Sequence, residues 1–360
     1  MNREVMAKRA RAIRRQLTKK RISCLIVTRP ANVTYATGFL GDDSWAVVTH
    51  NQVYLLTDSR YTEQAQAECP SCRIIERAGP MAEAVAELAP KLKSVRTITV
   101  EKSTSVADFE QLKRAVKARL RTSANIIETT RLVKDESEIV AVKSAASIAT
   151  KALGQTLSYI KPGVSESELS GMLDFQIRKL GARNSFETIV AFGANASRPH
   201  HQPGAKKLKK EDTILIDFGA KYRGYCSDIT RCFTVGTPTP FFKKVFDVVE
   251  QAQAAAIKKI RAGARLAEID SAARETIAKT DLPVYGHGTG HGFGLEIHES
   301  PFLKAGGKGK LEAGQVITIE PGVYIPGKLG VRIEDDILVT ETGRRILTRG
   351  CPHSPLLANA

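Results

Sequence analysis

Apolar positions change their period repeatedly along the chain, and the changes outline its elements. Met6, Ile13 and Leu17 recur at helical spacing and predict an amphipathic first helix. Short apolar runs at residues 22–27, 45–48 and 53–56, each bounded by turn residues, read as strands. Helical patterns follow at 61–67 and 81–92. A strand at 97–100 and a helix over 105–120, opened by Ser105 and Asp108 as capping residues, complete a small α/β domain. A boundary is expected near Arg131, giving domains 1–131 and 132–360.

The second part has a different texture. An Ala-rich helix is expected from Asp135 to about Tyr159, stopped by Lys161-Pro162-Gly163. Residues 165–180 read as another helix, with Ser165 and Glu168 as a capping box. Residues 193–204 form a polar loop holding His200 and His201. Runs 213–219 and 226–235 read as two strands of a hairpin, and 241–262 as a helix. The last hundred residues read as Gly-rich turns and short strands. The expectation is an α+β domain in which helices cover an antiparallel sheet.

Composition narrows the class. The hydrophobic content of 42% can give each domain a core, and 27 Gly and 15 Pro without a G-X-Y period exclude a collagenous chain. No run approaches the length of a membrane span. Nine basic residues and one acid in the first 21, without an apolar stretch, do not make a secretory signal. The net charge of +16 is spread over both halves and no RNP, zinc-finger or KH signature accompanies it, so no specific nucleic-acid partner is expected. Six cysteines are too sparse for a disulfide framework and fit the cytoplasm. Cys69-Pro-Ser-Cys72 lacks a second pair at zinc-ribbon spacing and reads as a surface loop.

Carboxylates avoid the middle of apolar strands, because burying an unpaired charge is costly. That rule is broken four times. Asp217 ends Thr-Ile-Leu-Ile-Asp, Asp228 lies in the returning strand, Glu320 ends Val-Ile-Thr-Ile-Glu, and Glu334 follows Gly-Val-Arg-Ile. For one acid alone a strand-end cap or a basic partner would suffice. Four, joined by His291 from a Gly-alternating run at 286–294, point to a cation. Oxygen-rich ligation with one imidazole is unlike structural zinc and suits two divalent ions such as Mn²⁺ or Co²⁺, with Zn²⁺ or Fe²⁺ also admissible. The alternating glycines do not match GxGxxG. His287 and His291 lack the helix and the Glu of a zincin.

Asp217 and Asp228 eleven apart, His291 in its glycine run, His298-Glu299-Ser300-Pro301, Glu320-Pro321-Gly322 and Arg332-Ile333-Glu334-Asp335 together resemble the metal centre of the pita-bread metallopeptidases. Aminopeptidase P, prolidase, methionine aminopeptidase and creatinase belong to that group. Tyr35-Ala-Thr-Gly38 and the run from Leu56 to Tyr61 resemble the creatinase-type N-terminal domain of its proline-specific branch. The resemblance implies a creatinase-type domain followed by a pita-bread catalytic domain. It makes Asp217, Asp228, His291, Glu320 and Glu334 the metal ligands and Glu320 a proton carrier. His200 and His298 become donors to the tetrahedral oxyanion, His287 a substrate-pocket histidine, and Arg332 an arginine at the substrate site that orients the ligands. The neighbouring His201 leaves the register of that loop open by one.

The implied activity is hydrolysis of Xaa-Pro bonds in the cytoplasm by a homodimer, with a peptide bearing proline at its second position as substrate. An Xaa-Pro aminopeptidase is the leading expectation. The alternatives are an Xaa-Pro dipeptidase, a creatinase-like C–N hydrolase, and a binding module without catalysis. A dipeptidase needs a basic group for proline's free carboxylate, and Arg198 is the sequence candidate.

Overall fold

A computed structural model of the protein describes residues 3–92, 95–354 and 356. The chain divides into two compact units, Met1–Leu132 and Val133–Ala360.

In the first unit the strands are β1 (Cys24–Val27), β2 (Trp45–Thr49), β3 (Val53–Thr57), β4 (Arg73–Glu76), β5 (Thr97–Glu101) and β6 (Arg119–Ser123). They form one mixed sheet in the order β4-β3-β2-β1-β5-β6. The helices are α1 (Arg3–Lys19), α2 (Pro30–Thr37), α3 (Thr62–Glu68), α4 (Met81–Leu88), α5 (Val106–Ala115) and α6 (Ile127–Arg131). The central strands carry near-continuous apolar runs because both of their faces are buried. Each fully buried Leu or Ile there contributes about 1.5–3 kcal/mol of transfer free energy.

Several expectations need correction here. The helix predicted over 105–120 ends at Ala115, where Val116 turns extended, and the rest of the run becomes strand β6. Leu112, Val116 and Leu120 stand at helical spacing, but edge strands such as β6 and β4 are largely exposed and carry no apolar alternation. Helix α2 went unrecognised although it has Pro at its start and Gly38 in the left-handed conformation at its end. Cys69 is buried at the end of α3, not on a surface loop.

The second unit opens with α7 (Glu136–Thr156) and α8 (Glu166–Lys179), both started by the capping boxes of Asp135 and Ser165. Strands β7 (Arg183–Asn184), β8 (Ile189–Phe192), β9 (Thr213–Phe218), β10 (Ala220–Tyr222), β11 (Tyr225–Cys226) and β12 (Ile229–Thr234) follow. Then come α9 (Pro240–Lys259) and α10 (Leu266–Ala278). The remaining strands are β13 (Gly290–Gly292), β14 (Glu299–Leu303), β15 (Val316–Ile319), β16 (Gly322–Ile325), β17 (Leu329–Arg332), β18 (Asp335–Val339) and β19 (Arg344–Ile346). Pairing between these strands is antiparallel throughout the described residues, in sheets ordered β12-β9-β8, β11-β10-β7, β14-β13-β15-β18-β19 and β16-β17. Helices cover them, as an α+β pita-bread fold requires. Among the described residues no helix is long and apolar enough to cross a membrane.

Helix α10 lies where only turns and strands were expected. Its buried residues Leu266, Ile269, Ala273 and Ile277 have helical spacing, but Asp270 interrupts that face. The Asp270 carboxylate is satisfied inside, accepting from Arg274 Nε at 2.8 Å and Thr289 Oγ1 at 2.7 Å. The expected hairpin of β9 and β12 is present, with Thr230 opposite Asp217. Its connection is itself a hairpin, β10–β11, turned by Arg223 and Gly224, both at positive φ. That two-residue turn matches the right-handed twist of its strands.

Candidate metal centre

Three antiparallel ladders bring the acids together. Asp217 lies in β9, and Asp228 precedes β12 on the adjacent strand. Glu334 stands in the turn between β17 and β18, joined to β12 by a bridge to Thr230. His291 is the middle residue of β13, and Glu320 follows β15, its neighbour in the sheet. Glycine flanks His291 for a steric reason: a Cβ at Gly290 would run into the Thr318 carbonyl, and one at Gly292 into that of Ser300.

Asp228, His291 and Glu334 can each turn one ligand atom to within 4.8 Å of the others. His291 Nε2 lies 3.5 Å from Asp228 Oδ2 and 3.4 Å from Glu320 Oε1. The other ring nitrogen, Nδ1, donates to the Gly292 carbonyl at 3.1 Å, so Nε2 carries the lone pair toward the carboxylates. Asp217 Oδ2 accepts from Arg332 Nη2 at 2.6 Å, while its Oδ1 is buried without a hydrogen-bond partner.

The electrostatics match the crowding. Burial, then the neighbouring Glu334, Asp217 and Glu320, push the Asp228 carboxyl well above the usual carboxylate range. Glu334 is raised in the same way, by burial and by Glu320 and Asp217. Glu320 is pushed to about 7, chiefly by burial. Burial lowers His291 to about 4, with the nearby His298 adding to it, so the imidazole is neutral and free to ligate. Three buried acids and the half-buried Glu320 around a neutral imidazole, with one carboxylate oxygen unsatisfied, fit a divalent cation. In its absence they repel one another.

The surrounding side chains fix this set. Arg332 spends all three nitrogens on the protein: Nη2 on Asp217, Nε on Thr230 Oγ1 at 3.0 Å, and Nη1 on the Tyr324 hydroxyl at 2.9 Å. Thr230 Oγ1 donates to Glu334 Oε2 at 2.6 Å. Thr318 Oγ1 accepts from the His291 amide at 3.1 Å and donates to Glu320 Oε1 at 3.4 Å. Asp336, buried behind the site, accepts from the Asp228 amide. Sequence reasoning named Arg332 but missed Thr230, Thr318 and Asp336, because threonines in strands are ordinary strand residues.

A cavity of about 600 Å³ opens over the centre, a size suited to a small ligand. Its wall includes His200, His287, His298, Phe186, Ile297 and Phe302. The His298 ring centroid is 4.4 Å from that of His291. His287 donates from Nδ1 to the Gly288 carbonyl at 2.7 Å, and its Nε2 is 3.0 Å from the Tyr324 hydroxyl. Desolvation lowers it to about 4.

The two adjacent histidines separate clearly. His201 Nε2 lies 2.8 Å from Glu166 Oε2, whereas the His200 side chain is exposed on the cavity wall. Glu166, wholly buried at the start of α8, also accepts from the Phe192 and Gly204 amides and from Asn195 Nδ2. One carboxylate therefore ties both ends of the 193–204 loop to a helix. Arg198 turns to Asn195 Oδ1 and does not line the cavity.

Comparison with known proteins agrees with this layout. The family model of Metallopeptidase family M24 matches residues 140–341, and that of the Creatinase/Prolidase N-terminal domain matches residues 9–133. The chain is similar to an Xaa-Pro dipeptidase from Bacillus anthracis, with 36% identity, a TM-score of 0.93, and coverage of 98% of this chain and 100% of that one. It is similar to an X-Pro aminopeptidase from Thermotoga maritima MSB8, with 35% identity, a TM-score of 0.89, and coverage of 95% and 100%. A prolidase from Pyrococcus horikoshii OT3 is similar at 30% identity and a TM-score of 0.89, over 97% and 99% of the two chains.

Proposed function

Because this chain belongs to metallopeptidase family M24 and carries a creatinase/prolidase N-terminal domain, we propose that it is a dinuclear metal-dependent Xaa-Pro dipeptidase. The observation that carries the reading is the set of Asp217, Asp228, His291 and Glu334, all buried, with the half-buried Glu320, lining one cavity. The aminopeptidase expectation gives way to its alternative. Of the three solved relatives, a dipeptidase with a TM-score of 0.93 and a prolidase favour the shorter substrate, against one aminopeptidase.

Asp217, Asp228, His291, Glu320 and Glu334 would hold the ions, and Mn²⁺ or Co²⁺ suits that donor set. Divalent ions there supply an acidified water, with a pKa of about 7, and polarisation of the scissile carbonyl. The protein does the rest. Glu320, facing the cavity, accepts the proton of the attacking water and passes it to the departing proline nitrogen. His200 and His298 donate hydrogen bonds to the oxyanion. Phe186, Ile297 and Phe302 give the pyrrolidine ring an apolar wall.

The test is a comparison of Ala-Pro with Ala-Pro-Ala in the presence of Mn²⁺. Preference for the dipeptide supports the reading. Preference for the tripeptide returns it to an aminopeptidase, and cleavage of neither excludes both.

A further inference from the structure

A dipeptide differs from a longer chain by the free carboxylate on its proline, three bonds from the scissile carbonyl carbon. Burying that charge against an apolar wall without a cation would be costly. The cavity wall carries only two lysine or arginine side chains among the described residues, Arg332 and Lys304. Arg332 is spent, each of its nitrogens already donating to Asp217, Thr230 or Tyr324. The Lys304 ammonium makes no hydrogen bond or ion pair among the described residues, and the residue is exposed on the cavity lining.

Strand register gives Lys304 its direction. In the β13–β14 ladder, His291 pairs with Phe302 and Gly290 with Leu303. Directly opposed residues share a face, so Phe302 stands on the side of the His291 imidazole and lines the cavity. Leu303 points the other way, into the hydrophobic core. Lys304, the first residue after β14, lines the cavity together with Phe302. The base of its side chain packs by Gly288, where a Cβ would lie 3.7 Å from Lys304 Cβ. A four-carbon stem from that point carries an ammonium over the apolar wall that would receive the proline ring.

We infer that Lys304 is a specificity-determining residue that binds the free C-terminal carboxylate of Xaa-Pro dipeptides at the mouth of the cavity. This rests on the dipeptidase reading above and replaces Arg198, the candidate from the sequence. The ammonium selects substrates by length: a peptide extended beyond proline offers a neutral amide at the same place.

The experiment measures kcat and KM of the Mn²⁺-loaded enzyme and its Lys304→Met and Lys304→Arg variants on Ala-Pro and Ala-Pro-amide. The Met variant is expected to raise KM for Ala-Pro roughly tenfold, the worth of one charge-assisted hydrogen bond, with kcat little changed. Its kinetics on the amide should stay as in the unaltered enzyme, and the Arg variant should recover most of the loss. An equal effect of Lys304→Met on both substrates, or none on either, overturns the assignment while leaving the dipeptidase reading intact. Failure of the unaltered enzyme to cleave Ala-Pro removes that reading and this inference together.

Discussion

The hydroxyl of Thr230 bridges the guanidinium of Arg332 and the carboxylate of Glu334, accepting from the first at 3.0 Å and donating to the second at 2.6 Å. Since Arg332 also holds Asp217, one small side chain couples the orientation of two carboxylates, one on β9 and one in the turn between β17 and β18. Thr230→Val keeps the shape and deletes that link. Loss of an outer partner of this kind typically lowers metal affinity or activity about 10- to 100-fold. Manganese titration followed by turnover measurement should show that loss, and Thr230→Ser should restore most of it. A valine variant with unaltered affinity and rate would contradict the role.

Removing metal should abolish activity and lower stability, because the acids at the centre would then face one another uncompensated. At a free ion concentration of a hundred times Kd, binding adds about 2.7 kcal/mol per site. Calorimetry of chelated and reconstituted protein should show a matching rise in Tm, and metal analysis should give two ions per chain. Asp228→Ala should lose both binding and activity. Less than one ion per chain would refute the dinuclear assignment.

Substitution of the histidines should separate turnover from metal content. His298→Ala and His200→Ala are expected to keep their ions and to lose roughly 10²- to 10³-fold in kcat, the usual effect of deleting one oxyanion donor. Full activity in both variants would remove them from the mechanism. His201→Ala should act differently, loosening the loop and destabilising the fold by about 1–3 kcal/mol through loss of its hydrogen bond to the buried Glu166 carboxylate.

Glu166 gives an acid-stability signature. Burial works to raise its carboxyl, but the bonds from His201, Asn195 and the Phe192 and Gly204 amides outweigh that and hold it below the usual range. The fold therefore resists its protonation. Its contribution is complete above the unfolded value of about 4.3 and is lost as pH falls through the folded value. Urea midpoints recorded from neutral into acid should fall for the unaltered protein. Glu166→Gln should start lower, and the gap should narrow with falling pH; a gap independent of pH would argue against the linkage.

The four acids of the centre were legible in the sequence because each lies within or beside an apolar strand run, where an unpaired charge is costly, and His291 because of its glycine run. Strands β9 and β12 were legible too, as the two buried runs of one hairpin. What was not legible shares a cause. Helix α10 carries a charge on its buried face, paired with Arg274 one turn along the same helix and hydrogen-bonded by Thr289, which tertiary folding brings to it. Strands β4 and β6 lie at sheet edges, where solvent removes the alternation that would mark them. Thr230 and Thr318 look like any strand threonine until the ladder sets them beside a carboxylate. Lys304 is one of 54 basic residues, and only the pairing of His291 with Phe302 gives it a direction.

The hairpin between Asp217 and Asp228 has a practical use. Pairing of β9 with β12 sets the distance between the aspartates, so the turn at Arg223 and Gly224 acts only as a spacer. Arg223 is exposed at its tip, whereas Gly219 and Ser227 at the base are packed tightly together. A fluorophore or short epitope grafted at the tip would ride on the enzyme within a few residues of its reactive centre, a natural reporter position for following substrate capture in real time.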